Sequence, residues 1–208
     1  MKLNSKLNFL KKKIKDIPNI QILELGVHKG NSTKFFLENC NHNNGHLISV
    51  DIINCSDVSD DPNWDFIHSN DDNFELINKK IKSPLDVIFI DSLHEASHVK
   101  KVFFNYYEFL KVGGICIIDD ISWLPYSLNR KKTNAYIAET NFRIFNKVLD
   151  IYNMNTENFF LEFFFEGSGY AIITKKNEMK LTEDSKIILN NFNLKNLIKK
   201  IFLRKPIR

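Results

Sequence analysis

The residues richest in chemistry in this chain are carboxylates that end apolar runs. In FIDSLHEASHVKKVFFNYYEFLKVGGICIIDD, Phe89 to Asp120, Asp91 stops the first run, Asp119 and Asp120 stop the second, and His94 lies three residues past Asp91. Burying a carboxylate without a partner costs several kcal/mol. These acids are therefore expected at strand ends, facing a group that needs them. His94 is the candidate base beside them, because an imidazole titrates near working pH; its bland alternative is to fix the start of the next helix. Upstream, ELGVHKGNST puts Glu24 at the end of another apolar run and Gly26 and Gly30 in the turn before a helix. Glycines there let backbone amides approach a ligand, and the helix N-terminus adds partial positive charge. Asp51 closes the next apolar run roughly 20 residues further on, where an acid can accept hydrogen bonds from two ribose hydroxyls. The spacing Glu-x-Gly-x-x-x-Gly is not the dinucleotide pattern Gly-x-Gly-x-x-Gly, which counts against a nicotinamide-dependent oxidoreductase.

The elements that must position these groups follow from periodicity. Leu3, Leu7, Leu10, Ile14 and Ile17 mark an amphipathic helix over residues 3–16, ended by Pro18. IQILELG, HLISVDI, WDFIHS, PLDVIFID and ICIIDD read as five short strands, and KVGG as the turn before the fifth. Helices are expected in STKFFLENC, with Asn31 or Ser32 as N-cap, in DDNFELINKKI and in EASHVKKVFFNYYEFL. Strands that are apolar throughout and alternate with helices indicate a parallel sheet covered on both faces. After a helical stretch near 134–152, FFLEFFFE and YAIITKK are joined by GSG, a hairpin signal.

At 208 residues and 43% hydrophobic, the chain has enough length for one well-filled core. No run approaches the roughly 18 uncharged apolar residues of a membrane span, and lysines interrupt the N-terminal apolar stretches as they would not in a signal peptide. Cys40, Cys55 and Cys116 are odd in number and lack metal-ligand spacing, so reduced thiols in a cytoplasmic protein are expected. A net charge of +4 is too modest for a nucleic-acid footprint.

Glu24-x-Gly26-x-x-x-Gly30, Asp51, Ser69–Asp71, Phe89–Asp91 and LKVGGICIIDD resemble the ordered motifs of class I S-adenosylmethionine-dependent methyltransferases. The resemblance runs from about Ile20 to Lys176 and includes the terminal hairpin. It implies an α/β, Rossmann-like, seven-stranded sheet of order 3-2-1-4-5-7-6 with strand seven antiparallel. With the N-terminal helix as a cover, the methyltransferase domain is expected to span 1–178, and 179–208 to form a basic amphipathic tail. Glu24 would lie near the methionine ammonium, the Gly26–Gly30 turn under the cofactor, Asp51 on the ribose, and Asn70 and Asp71 beside the adenine. Ser32 and Asp91 complete the expected cofactor-binding set.

In such a sheet Asp91, Asp119 and Asp120 converge on one rim, where three carboxylates repel one another unless a cation joins them. A hard divalent ion such as Mg²⁺ suits that donor set, and the arrangement resembles the metal-dependent small-molecule O-methyltransferases, closest to the branch acting on sugar hydroxyls. Asp91, Asp119 and Asp120 are the expected metal ligands, and Asp91 and His94 the expected catalytic residues. Sugar-acting members carry a second aspartate two residues after the first, where this chain has Leu93. His28 and His98 read as structural or surface groups. Trp123 and Tyr126 are candidates for an acceptor wall, and Arg130, Lys131 and Lys132 for an anion contact or a plain basic loop. The expected activity is methyl transfer to a hydroxyl of a sugar or glycan precursor. The competing readings are a nucleic-acid methyltransferase and a cofactor-binding module without chemistry. The tail, with Leu194, Leu197, Ile198, Ile201 and Phe202 on one face, suits either peripheral membrane contact at the inner face or packing on this domain or a second copy.

Overall fold

The computed structural model describes residues 5–124 and 134–183. Seven strands form one sheet of order β3-β2-β1-β4-β5-β7-β6. They are β1 Gln21–Leu25, β2 His46–Asp51, β3 Trp64–His68, β4 Leu85–Ile90, β5 Leu110–Asp119, β6 Phe159–Phe164 and β7 Tyr170–Lys175. The first five pair in parallel, and β7 runs antiparallel to both β5 and β6, as the hairpin signal and the resemblance imply.

Alternation along the strands sorts side chains into two cores. Leu23, Leu25, Ile88, Ile90, Cys116 and Ile118 face a layer built by α3 (Phe74–Asn78), α4 (Ala96–Tyr107) and α5 (Ala135–Met154). Ile22, Leu47, Val87, Phe89 and Ile117 face α1 (Ser5–Ile14) and α2 (Asn31–His42). β4, in the middle, is buried at every position, hence its unbroken apolar run. Helix α1 covers its core with Leu7, Leu10 and Ile14, each worth about 1.5–3 kcal/mol of burial. Its Phe9 stacks on Phe164 at 4.3 Å, tying the first helix to β6.

Two elements differ from expectation. Lys111–Gly114 belongs to β5 rather than to a turn, because the β4–β5 register shifts between Leu85 and Val87 and Gly113 takes up the bulge at φ 84°. Helix α3 is shorter at both ends than the apolar period suggests: Asp71 lies before it, its carboxylate held by Ser92 and His98, and the helix stops at Asn78. The three cysteines are free and buried. No helix among the described residues is long and apolar enough to cross a membrane. Main-chain contacts continue past the second strand of the hairpin as far as Thr182, whose N–H donates to Asn155 Oδ1 at 2.7 Å. The basic tail, from residue 184 on, lies outside the described residues.

Candidate active site

The C-terminal ends of β1, β2 and β4 open onto one cavity of about 680 Å³, lined among others by Gly26, Asp51, Asn70, Asp71, Asp91 and His94. In an open parallel sheet this is the crevice in which ligands bind.

Asp51 ends β2 and is gripped by backbone. Its Oδ2 accepts from the Val27 and His28 amides at 2.8 and 2.9 Å, and its Oδ1 from the Ile53 amide at 2.8 Å. Burial works against the charge, but these amide bonds more than compensate and hold the carboxyl below its ordinary pKa. A carboxylate offers about four acceptor positions, so Oδ1 keeps the remaining one for a ligand hydroxyl.

Glu24 is fully buried in β1 and is not among the residues that line the cavity. Thr33 Oγ1 and Ser49 Oγ donate to its Oε2 at 2.8 and 2.6 Å, while Oε1 has no hydrogen-bond partner among the described residues. Burial pushes its pKa up to about 7, against the pull of the Ser32, Ser49 and Thr33 hydroxyls. An orphaned buried carboxylate oxygen calls for a cationic donor, and a methionine-type ammonium has that chemistry. Ser32 enters through this acid and not through the cavity wall.

The two glycines of the turn are required chiefly by packing. A Cβ on Gly26, at φ +100°, would stand 2.0 Å from the Asp91 carbonyl oxygen, and one on Gly30 would stand 2.2 Å from Val58 Cγ1. Gly26 lines the cavity, whereas Gly30 is covered by the 52–61 loop. On the far wall His98 Nε2 meets Asp71 Oδ1 and Oδ2 at 2.9 and 3.0 Å, and Ser92 Oγ donates to the same carboxylate. His98, read from sequence as structural or surface, fixes this acid; Asn70 stands exposed beside it.

Ile90 pairs with Ile118, which brings the following residues, Asp91 and Asp119, to adjacent strand ends. Asp120 has φ +58°, a left-handed conformation that aspartate tolerates better than most residues, and it breaks the strand there. His94 Nε2 lies 3.3 Å from Asp91 Oδ1 and 3.3 Å from Asp120 Oδ2. Its hydrogen bond to Asp91 raises its pKa above the ordinary value, helped by the charge of Asp120.

Asp119 has different partners. Its Oδ1 accepts from the Lys6 ammonium, from Ser168 Oγ at 3.0 Å and from the Asp120 amide. Burial first, then the charge of Asp91, hold this carboxyl well above the usual carboxylate range, opposed by Lys6. Sequence reasoning missed both Lys6, a single lysine on the first turn of a distant helix, and Ser168, whose only signal was the GSG of the hairpin. For a metal the donor chemistry is suitable but the arrangement is not. Among the described residues no group of three or more His, Cys, Asp or Glu side chains is placed to hold one. Asp119 Oδ1 is filled, and Asp91 and Asp120 face His94.

Trp123 does not line the cavity but packs against Phe142, Phe145 and Phe165, with ring centroids 5.2, 4.5 and 5.8 Å away. Tyr126, Arg130, Lys131 and Lys132 lie outside the described residues.

Residues 23–121 match the family described as a methyltransferase domain. No curated protein matches the chain. Among solved structures, the MycE methyltransferase of the mycinamycin biosynthetic pathway, in complex with Mg, SAH and mycinamycin VI, is 18% identical with a TM-score of 0.60; the match covers 82% of this chain and 49% of that one. This chain therefore spans about half the length of MycE. SAH-bound PaMTH1 from Podospora anserina is 16% identical with a TM-score of 0.64, covering 83% and 77% of the two chains. A Staphylococcus aureus protein described as a candidate caffeoyl-CoA O-methyltransferase is 19% identical with a TM-score of 0.63, covering 84% and 85%. At these identities the likeness is one of fold. The sheet order and the match of residues 23–121 to a methyltransferase domain agree with the fold that the ordered motifs imply.

Proposed function

We propose that this protein transfers the methyl group of S-adenosylmethionine to a hydroxyl of a small molecule, a sugar or glycan precursor by preference. The observation that carries the reading is His94 held between Asp91 and Asp120 on the rim of the cavity that Asp51 and Asp71 also line. The cofactor supplies a sulfonium methyl ready for displacement by an oxygen nucleophile. The chain's own residues do the rest. Asp51 Oδ1 and the Asn70–Asp71 wall hold the nucleoside end, and Glu24 Oε1 answers the ammonium. With Nε2–H donated to the two aspartates, His94 Nδ1 is the nitrogen left to take the acceptor's proton. Asp91 and Asp120 then stabilise the imidazolium, as a carboxylate does beside a catalytic histidine. Lys6 and Ser168 already engage Asp119 Oδ1, and the proton chemistry is assigned to protein groups alone.

The preference for a sugar rests on the Asp119–Asp120 pair, which resembles the sugar-acting branch, and on the likeness of fold to MycE, solved with mycinamycin VI. The test is transfer of labelled methyl from S-adenosylmethionine to a panel of sugar nucleotides, glycosides and phenols, with total RNA as a further acceptor. Label in a small hydroxylated acceptor supports the reading. Label in RNA alone, or tight SAH binding with no turnover on any acceptor, overturns it.

A further inference from the structure

The first helix of the chain contributes a cation to the rim where the acceptor would react. Lys6 is 113 residues from Asp119 in sequence, yet its side chain is only 12% exposed and its ammonium touches both Asp119 Oδ1 and Ser168 Oγ. The placement is built by the surrounding structure. Leu7, Leu10 and Ile14 anchor α1 on the sheet, and Phe9 stacks on Phe164. The lysine stem passes over Gly167, where a Cβ would stand 3.0 Å from Lys6 Cδ. The ammonium sits 4.3 Å from the centre of the Tyr170 ring, a favourable cation–π position. Helix α1, the β6–β7 turn and the end of β5 thus converge on one carboxylate oxygen.

We propose that Lys6 is the resident counter-ion of the acceptor rim and fills the place that a divalent ion would otherwise take. Three carboxylates at adjacent strand ends need compensation, and the chain supplies it from two side chains, a lysine ammonium and an imidazole N–H. His94 serves Asp91 and Asp120, and Lys6 serves Asp119. Lys6 is a positioning residue: it fixes Asp119 and places one positive charge on the rim without a metal. The rim so assembled is that of the proposed methyl transfer, but metal exclusion by Lys6 stands on charge and geometry and is measured without turnover.

The test is Mn²⁺ binding to the full chain, followed by electron paramagnetic resonance of the free ion, with SAH binding measured in parallel by calorimetry. The proteins compared are wild type, Lys6→Met, Lys6→Arg and the double variant Lys6→Met/Asp119→Asn. Methionine keeps the apolar stem and removes the charge, so Lys6→Met is expected to bind Mn²⁺ at least about tenfold more tightly than wild type. Lys6→Arg should behave like wild type, and the double variant should lose the gained site. Equal Mn²⁺ affinity in wild type and Lys6→Met overturns the proposal, as does a gained site that survives Asp119→Asn. If Lys6→Met does not fold, wild type alone decides. Tight saturable Mn²⁺ uptake that Asp119→Asn abolishes overturns the proposal, and the lack of such uptake upholds it. SAH binding that is unchanged across the set leaves the cofactor assignment standing whichever way the metal result falls.

Discussion

Replacing Glu24 with glutamine separates the cost of a buried acid from its use. The folded-state pKa is raised from 4.5 to about 7 by burial, and each pH unit of difference is worth about 1.36 kcal/mol, so the shift amounts to roughly 3 kcal/mol. The sign follows from the direction of the shift. Below about pH 4.5 the acid is protonated in both folded and unfolded chains, and its contribution to stability is fully present. As pH rises towards 7 the unfolded chain loses its proton first, and stability falls until the folded acid ionises as well. The amide oxygen of the Glu24→Gln variant can still accept from Thr33 and Ser49, and the side chain carries no charge. Urea denaturation of the ligand-free proteins from pH 5 to pH 8.5 should show a difference of under about 1 kcal/mol at the acid end. At the alkaline end the variant should be the more stable by up to about 3 kcal/mol. The same substitution should weaken SAH binding at pH 8, because the ammonium loses its anionic partner. Calorimetry in buffers of different ionisation enthalpy should find that wild type releases protons on binding near pH 6.5 and that the variant releases none. Parallel stability–pH curves for the two proteins would show that Glu24 is not the titrating group. Undiminished SAH affinity in the variant would remove the ammonium assignment.

Three other outcomes follow. Asp51→Ala strands three backbone amides as well as losing a ligand acceptor, so calorimetry with SAH should record a loss of about 1.5–3 kcal/mol in affinity; unchanged affinity refutes the ribose role. His94→Ala should lower kcat about 10²–10⁴-fold on any acceptor that wild type methylates, with SAH affinity preserved, and a near-native kcat moves the base elsewhere. Gly26→Ala places a Cβ 2.0 Å from the Asp91 carbonyl at a positive φ, and thermal melting should show destabilisation of at least about 2–3 kcal/mol.

The sheet was legible because each strand is a short apolar run ended by an acid or a turn, and the hairpin announced its reversal through GSG. Asp51, Asp91 and Asp119–Asp120 were legible for the same reason: strand ends in a parallel sheet share one rim, so their order in sequence carries their position in space. Lys6 was not. Its neighbours in sequence specify an amphipathic helix, and nothing in that period records which strand end its first turn will meet. Ser168 was hidden likewise, since a serine between two glycines reads as turn chemistry. The bulge at Gly113 was missed because two adjacent glycines in a polar stretch signal a turn more often than a distorted strand. The role of Glu24 was legible as a position, but its unpartnered oxygen depends on which hydroxyls α2 and β2 present to it.

On the proposed activity, the close approach of Gly26 to the Asp91 carbonyl bears on how the protein could acquire new acceptors. The Gly26 N–H donates to Val50 O at 2.9 Å and the Asp91 N–H to Leu25 O at 2.8 Å, so the turn proposed to lie beneath the cofactor and the strand end proposed to lie beside the acceptor are locked through main chain. A shift of either by a fraction of an ångström displaces the other, and selection for a different substrate cannot remodel this seam without also disturbing methyl-donor binding. The N-terminal helix touches the same rim through the Lys6 side chain, and the β6–β7 turn through the Ser168 side chain and one main-chain bond, from the Ser122 N–H to the Ser168 carbonyl at 2.7 Å. Variation in acceptor range is therefore expected to concentrate in those two segments, and a mutational library aimed at new substrates should be built there rather than along β1 or β4.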